Sequence, residues 1–203
     1  YYNTIFYIQG DITMSLKELT KDNHRNAERS WFARLMFSGQ ISNEQYAMYL
    51  KQQYECYKAL EDRFDSLDQN SSYPFPDSRI KRAKKIYTDL LELCDNPDSL
   101  SVFESTKSYA NYILNECPES LLHAHVYVRY LGDLKGGQMI ASRVPGSGEY
   151  YKFESPDELE NSIRESLRSD EDFVNESKKC FDLAILLFED LKTYFEAEKV
   201  SNK

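Results

Sequence analysis

Three of the chain's seven glycines, Gly132, Gly136 and Gly137, fall inside one segment, RYLGDLKGGQ at 129–138, that otherwise reads as helix. A glycine in a helix interior is unfavourable by about 0.5–1 kcal/mol relative to alanine. A helix that carries three of them must gain something from bare backbone. Gly132 and Gly136 are four residues apart and share a helix face. Two uses fit such a face: close approach of a second helix, or a flat ligand lying against the main chain. Asp133 lies between the glycines, and Arg129, four residues earlier, stands where it can pair with that carboxylate. The face therefore offers main chain, an acid and room for a small molecule with water.

Helix signals dominate the rest of the chain, and alternating strand patterns are scarce. SLKE at 15–18 and SNEQ at 42–45 are capping boxes, opening predicted helices that run to Gly39 and to about Leu67. Further helices are predicted from about Asp77 to Leu93, over 98–115, from Pro118 through the glycine segment to about Arg143, from SPDE at 155–158, and from about Asp170 to Glu198. SSYPFPDS, CDNPDS and VPGSGEYYKF read as loops. The expected fold class is all-α, a single multi-helix domain. The first ten residues, YYNTIFYIQG, resemble a protease-site linker. Residues 1–13 are therefore expected to be an expression remnant and 14–203 the domain, starting at Met14.

Net charge is -9 and the pI about 5.0, which argues against a nucleic-acid binder with its basic face. No run approaches the ~20 apolar residues that span a bilayer. Cys56, Cys94, Cys117 and Cys180 form no CxxC pair and read as reduced thiols of a cytoplasmic protein.

Only three histidines exist. His24 has Glu28 one turn later, which reads either as an exposed polar pair or as an imidazole whose second nitrogen is held by a carboxylate while the first binds a metal. His123 and His125 are two apart and point to different faces of one helix. No acid stands three residues before either, as a di-iron helix requires, and zinc, phosphate-loop and dinucleotide patterns are absent. The helically spaced tyrosines Tyr46, Tyr49, Tyr54 and Tyr57 read as core and rim, or as a pocket wall. Lys81, Arg82, Lys84 and Lys85 read as a solvated face, or as a docking patch for an acidic partner.

Four segments carry a family resemblance. HAHVYVRYLGDLKGGQ (123–138) resembles the signature segment of heme oxygenases, and KELTKDNHRNAE (17–28) that family's proximal helix. QYECYKALED (53–62) and KKCFDLAILLFEDL (178–191) resemble its second and final helices, in the family's order. The resemblance implies heme sandwiched between the first helix and the glycine-bearing distal one. By that likeness His24 is the axial iron ligand, with Glu28 behind it and Phe181 lining the pocket. Gly132 and Gly136 would graze the distal side, and Asp133 would organise distal water with Tyr57 and Arg129. Lys17, Tyr127 and Arg164 fall where the family contacts the heme propionates. A basic partner expected one turn before Arg164 is here Glu160, and the family's small residue before the glycine pair is here Lys135.

The implied activity is cleavage of heme, with dioxygen and electrons, to biliverdin, carbon monoxide and ferrous iron. Heme would be both substrate and prosthetic group. Electrons would come from an external donor, a ferredoxin in the soluble types, and a bilin reductase would act downstream. Two other readings remain at this point: a heme-binding or heme-sensing protein without turnover, and a thiaminase-like or di-iron enzyme on the same scaffold.

Overall fold

The computed structural model describes residues 15–201, so the expected remnant at 1–13 and the start at Met14 lie outside the described residues. Their regular structure is entirely helical, with no strand among them. The first predicted helix is three: α1 (Leu16–Leu19), α2 (Lys21–Glu28) and α3 (Trp31–Ser38). The predicted capping box opens α1, with the Ser15 N–H donating to the Glu18 carboxylate at 2.8 Å. Thr20 then breaks the helix: its backbone turns out of the helical region, and its buried hydroxyl donates to the Leu16 carbonyl at 2.9 Å. Ser30 caps α3 by accepting from the Ala33 N–H at 3.2 Å, and Gly39 ends it in the left-handed region that favours glycine (φ 70°).

Helix α4 (Asn43–Asp65) is the central rod, begun by the second capping box and buried over most of its circumference. Tyr46, Leu50, Cys56, Tyr57 and Leu60 are all inside. Burial on several faces lets α5 (Ala83–Leu93) and α6 (Glu104–Asn115) pack along its length. The long α10 (Glu171–Ser201) crosses behind α2, α3, α6 and the short α7 (Leu122–Val126).

The predicted helix over 118–143 is not continuous. A 3₁₀ turn (Glu119–Leu121) leads into α7, a π-helical turn follows at Tyr127–Leu131, and α8 spans Gly132–Ala141. In an unbroken α-helix His125, Arg129, Gly132 and Gly136 would form one stripe, at i, i+4, i+7 and i+11. The π turn, wound with extra backbone per turn, shifts the phase. His125 and Arg129 consequently point into the core, while a Cβ added at Gly132 or Gly136 would meet nothing within 4 Å.

Gly137 faces the opposite way. A Cβ there would come within 2.5 Å of the Tyr151 ring, which is buried and stacked on Tyr150 at 4.2 Å. The segment carrying these tyrosines, predicted as plain loop, holds a 3₁₀ turn (Glu149–Tyr151) fixed to α5. Asp89 accepts from the N–H groups of Glu149 and Tyr150, both at 2.8 Å. The buried Arg82 donates to the carbonyls of Tyr150 (3.3 Å) and Lys152 (2.8 Å) and stacks on Phe153. The basic cluster at 81–85 is therefore a solvated face only in part, with Lys84 exposed and its neighbours engaged by the fold. Arg82 is interior, Lys81 pairs with Asp65 at 2.6 Å, and Lys85 donates to the Lys152 carbonyl at 3.1 Å. Ser155 precedes α9 (Pro156–Arg164) in the left-handed region, without the side-chain cap predicted for it.

The two kinds of glycine separate in a stability measurement. Gly137→Ala should destabilise the chain by about 1–3 kcal/mol, because the Tyr151 ring has nowhere to go. Gly136→Ala, in open space, should be neutral or stabilise by up to about 1 kcal/mol. Urea unfolding of the two variants checks this; equal losses would mean that the two glycines face alike.

Candidate functional site

Asp133 is the one acid of α8. Its carboxylate accepts from the Tyr57 hydroxyl in a short hydrogen bond and from the Tyr150 hydroxyl at 3.1 Å. Tyr57 comes from α4, and Tyr150 from the turn that Asp89 and Arg82 pin, so the acid is gripped by two separate elements. Burial pushes its pKa up to about 7, against the opposing pull of the two hydroxyls and of the Arg129 and Arg82 charges. A carboxyl group with that value exchanges its proton near neutral pH. Tyr150 was not found from the sequence: it lies in an irregular stretch where no periodicity signals direction.

Arg129 does not bond to Asp133. It turns inward from the π turn, donating to the Tyr109 hydroxyl at 2.9 Å and to the Gln53 side-chain carbonyl at 3.2 Å. Its guanidinium lies 4.2 Å from the Tyr109 ring centre and 5.6 Å from that of Tyr57. It thus reaches Asp133 only through its charge and through the packing of Tyr57. Beside it, the buried His125 meets Glu176 at 2.7 Å through Nε2 and Tyr109 at 3.1 Å through Nδ1. Burial opposes a charge on His125, yet the surrounding tyrosine, thiols and carboxylate hold its pKa well above the usual histidine value. Cys117, His125 and Glu176 bring donor atoms within 4.8 Å of one another. With one carboxylate, and both imidazole nitrogens already bonded, this interior ion pair lacks the donor set of a di-iron centre.

His24 stands on the other side, exposed on α2. Its Nδ1 lies 3.6 Å from the Glu28 carboxylate, its ring meets the edge of the buried Phe181 at 5.9 Å, and its Nε2 has no partner among the described residues. Two contacts lash the first helical stretch to the glycine-bearing one. Tyr127 and Thr20 share a hydroxyl–hydroxyl bond at 3.0 Å, and Arg143 donates to the Phe37 carbonyl at 2.6 Å. Between those two lashings lie His24 on one side and the bare faces of Gly132 and Gly136 on the other.

Exposed cations stand on α1, α8 and α9. Lys17 is exposed on α1. Arg164 donates to Glu160 at 2.7 Å, and Lys135 reaches from α8 to the same carboxylate. Tyr127 spends its hydroxyl on Thr20. This donor set suits a flat, iron-bearing dicarboxylate: a free imidazole nitrogen, a face without side chains, a proton-exchanging acid and cations at the edge.

Residues 10–190 match the family model for heme oxygenase. Heme oxygenase 1 of Rattus norvegicus is 32% identical over 216 residues, covering 93% of this chain and 74% of the rat protein. Heme oxygenase 2 of Mus musculus is 29% identical over 210 residues, which cover 89% of this chain; the chain spans 65% of the mouse protein's length. Among solved structures, heme oxygenase from Leptospira interrogans superposes with a TM-score of 0.75 at 28% identity, over 87% of this chain and all (100%) of that one. Heme oxygenase-2 from Synechocystis, solved in complex with heme and NO, gives 0.77 at 27% identity, over 90% of this chain and 86% of that one. Matched along nearly its whole length by family, by relatives and by fold, the chain belongs to the heme oxygenase family.

Proposed function

We propose that this protein binds heme in the slot between α2 and α8 and cleaves it, with dioxygen and electrons, to biliverdin, carbon monoxide and ferrous iron. The observation that carries the reading is the open face at Gly132 and Gly136, on a helix lashed alongside the one that presents His24. Bound heme supplies the iron that activates dioxygen and the ring carbon that becomes oxidised.

The chain's own residues do the rest. His24 offers Nε2 as the single protein ligand to the iron. Glu28 favours the proton on Nδ1, which keeps the Nε2 lone pair free. The Phe181 ring edge restrains rotation of the imidazole. Gly132 and Gly136 let the main chain of α8 come close to the ring and exclude bulk from the reacting side. Asp133 holds and passes protons through water, steadied by Tyr57 and Tyr150. Arg129 acts behind it, fixing Tyr57 by packing. Lys17 and Arg164 supply rim cations for the propionates, and Tyr127 orients the edge of the slot from its bond to Thr20.

Electrons come from an external donor, a ferredoxin by the family resemblance, and a bilin reductase would consume the product. Four free cysteines fit a cytoplasmic setting, and among the described residues no helix is long and apolar enough to cross a membrane.

Hemin added to the purified protein should give the Soret band of a histidine-bound heme, lost or displaced in His24→Ala. Ascorbate should then convert the wild-type complex to a green bilin, whereas a persistent Soret band under reductant and oxygen would leave a heme carrier without turnover. Asp133→Asn should bind hemin but form bilin roughly a hundredfold more slowly. Because the folded-state pKa of Asp133 is raised, to about 7, the folded chain holds a proton that the unfolded chain gives up at lower pH. Stability should therefore fall as pH rises from about 4 to 7, and fall less in ligand-free Asp133→Asn. Unfolding midpoints across that range measure it, and identical slopes would contradict the raised value.

A further inference from the structure

Glu160 is an acid where the family resemblance leads one to expect a base, and Lys135 is a long cation where it leads one to expect a small residue. The structure joins the two departures. Lys135 lies three residues after Gly132 and one before Gly136, at the edge of the open face of α8. Its ammonium crosses to Glu160 on α9, and the same carboxylate receives Arg164. Glu160 keeps only 15% of its side-chain surface exposed, whereas Lys135 keeps 56% and Arg164 52%. The acid is thus tucked beneath two cations that stay half-exposed where α8 meets α9.

We propose that Lys135 is a ligand-anchoring cation for one porphyrin carboxylate, and that Glu160 is the internal counter-ion that occupies Lys135 and Arg164 until that carboxylate displaces it. The inference rests on the heme reading above. Arg164 binds Glu160 through Nε and Nη2, which leaves its Nη1 donors free. An ammonium has three donors, so Lys135 also keeps donors for a second carboxylate. The cluster bears one net positive charge, matched to one ligand carboxylate. In the free chain Glu160 occupies the two cations; when the ligand arrives, its carboxylate competes with Glu160 for them. The lost cation at position 160 is in this way replaced from the opposite helix, and the replacement is fastened to the segment with three glycines, the weakest helix former in the chain.

The competition gives opposite signs for the two halves of one ion pair. Hemin affinity, read by Soret titration, should fall about threefold in Lys135→Met and rise about threefold in Glu160→Gln, the scale of a half-exposed charge contact. Iron protoporphyrin dimethyl ester, which lacks both carboxylates, should bind all three proteins alike. Thermal midpoints of the ligand-free variants should both drop slightly, the behaviour of any broken ion pair. If the two variants move hemin affinity in the same direction, or move the ester as much as hemin, Lys135 is structural and the proposal is overturned. If wild-type protein binds neither porphyrin, it is the heme reading that fails.

Discussion

A carboxylate on a glycine-weakened helix, held by two tyrosine hydroxyls from two other elements, sets the tolerance for everything around the slot. Tyr57 rises from the central rod α4, and Tyr150 hangs from a turn whose main chain is tied to α5 by Asp89 and Arg82. A hydrogen bond to a half-buried carboxylate of this kind is unforgiving, because losing Asp133 strands the hydroxyls of two buried tyrosines. Asp133 is thereby anchored to the central rod α4 and to the turn fixed on α5, while its own helix carries three glycines that weaken it. The stiffness comes from the neighbours, so bare backbone can be kept on one side of α8 without losing the position of the acid.

The charged interior follows the same economy of placement. Arg82, Arg129, His125 and Glu176 are all buried, and each has partners that match its donors or acceptors. Buried ions of this sort add little to stability beyond an apolar core of equal volume, but removing either member strands the other. Their arrangement fixes direction: Arg82 fixes the turn bearing Tyr150, and Arg129 fixes the rings of Tyr57 and Tyr109. In the basic run at 81–85, Arg82 and Lys85 are engaged by carbonyls and Lys81 by a single carboxylate once the chain folds, which leaves Lys84 exposed.

Much of the helical layout was legible because capping chemistry is local. Ser15 with Glu18 and Ser42 with Gln45 act over three residues and form as their spacing implies. The breaks at Thr20 and Ser30 were harder, since both residue types also occur inside helices, and Thr20 stops its helix only together with a tyrosine more than a hundred residues away. His24, Glu28, Gly132, Gly136 and Asp133 stood out through type and spacing. Tyr150, Gln53 and Glu176 did not, because their roles depend on which elements meet in space. The inward turn of Arg129 depends on a backbone register that no side-chain pattern announces.

That register has a consequence for how the chain can vary. Four residues that an ordinary helix would align are divided into two pairs by a single wide turn at Tyr127–Leu131. The inner pair belongs to the polar interior and the outer pair to the open face of α8. Neither pair can be re-aimed alone, since unwinding the extra backbone would rotate one against the other like two halves of a key cut on a common shaft. Sequence change upstream of the turn is therefore constrained by the open glycine face, and change downstream by the buried ions.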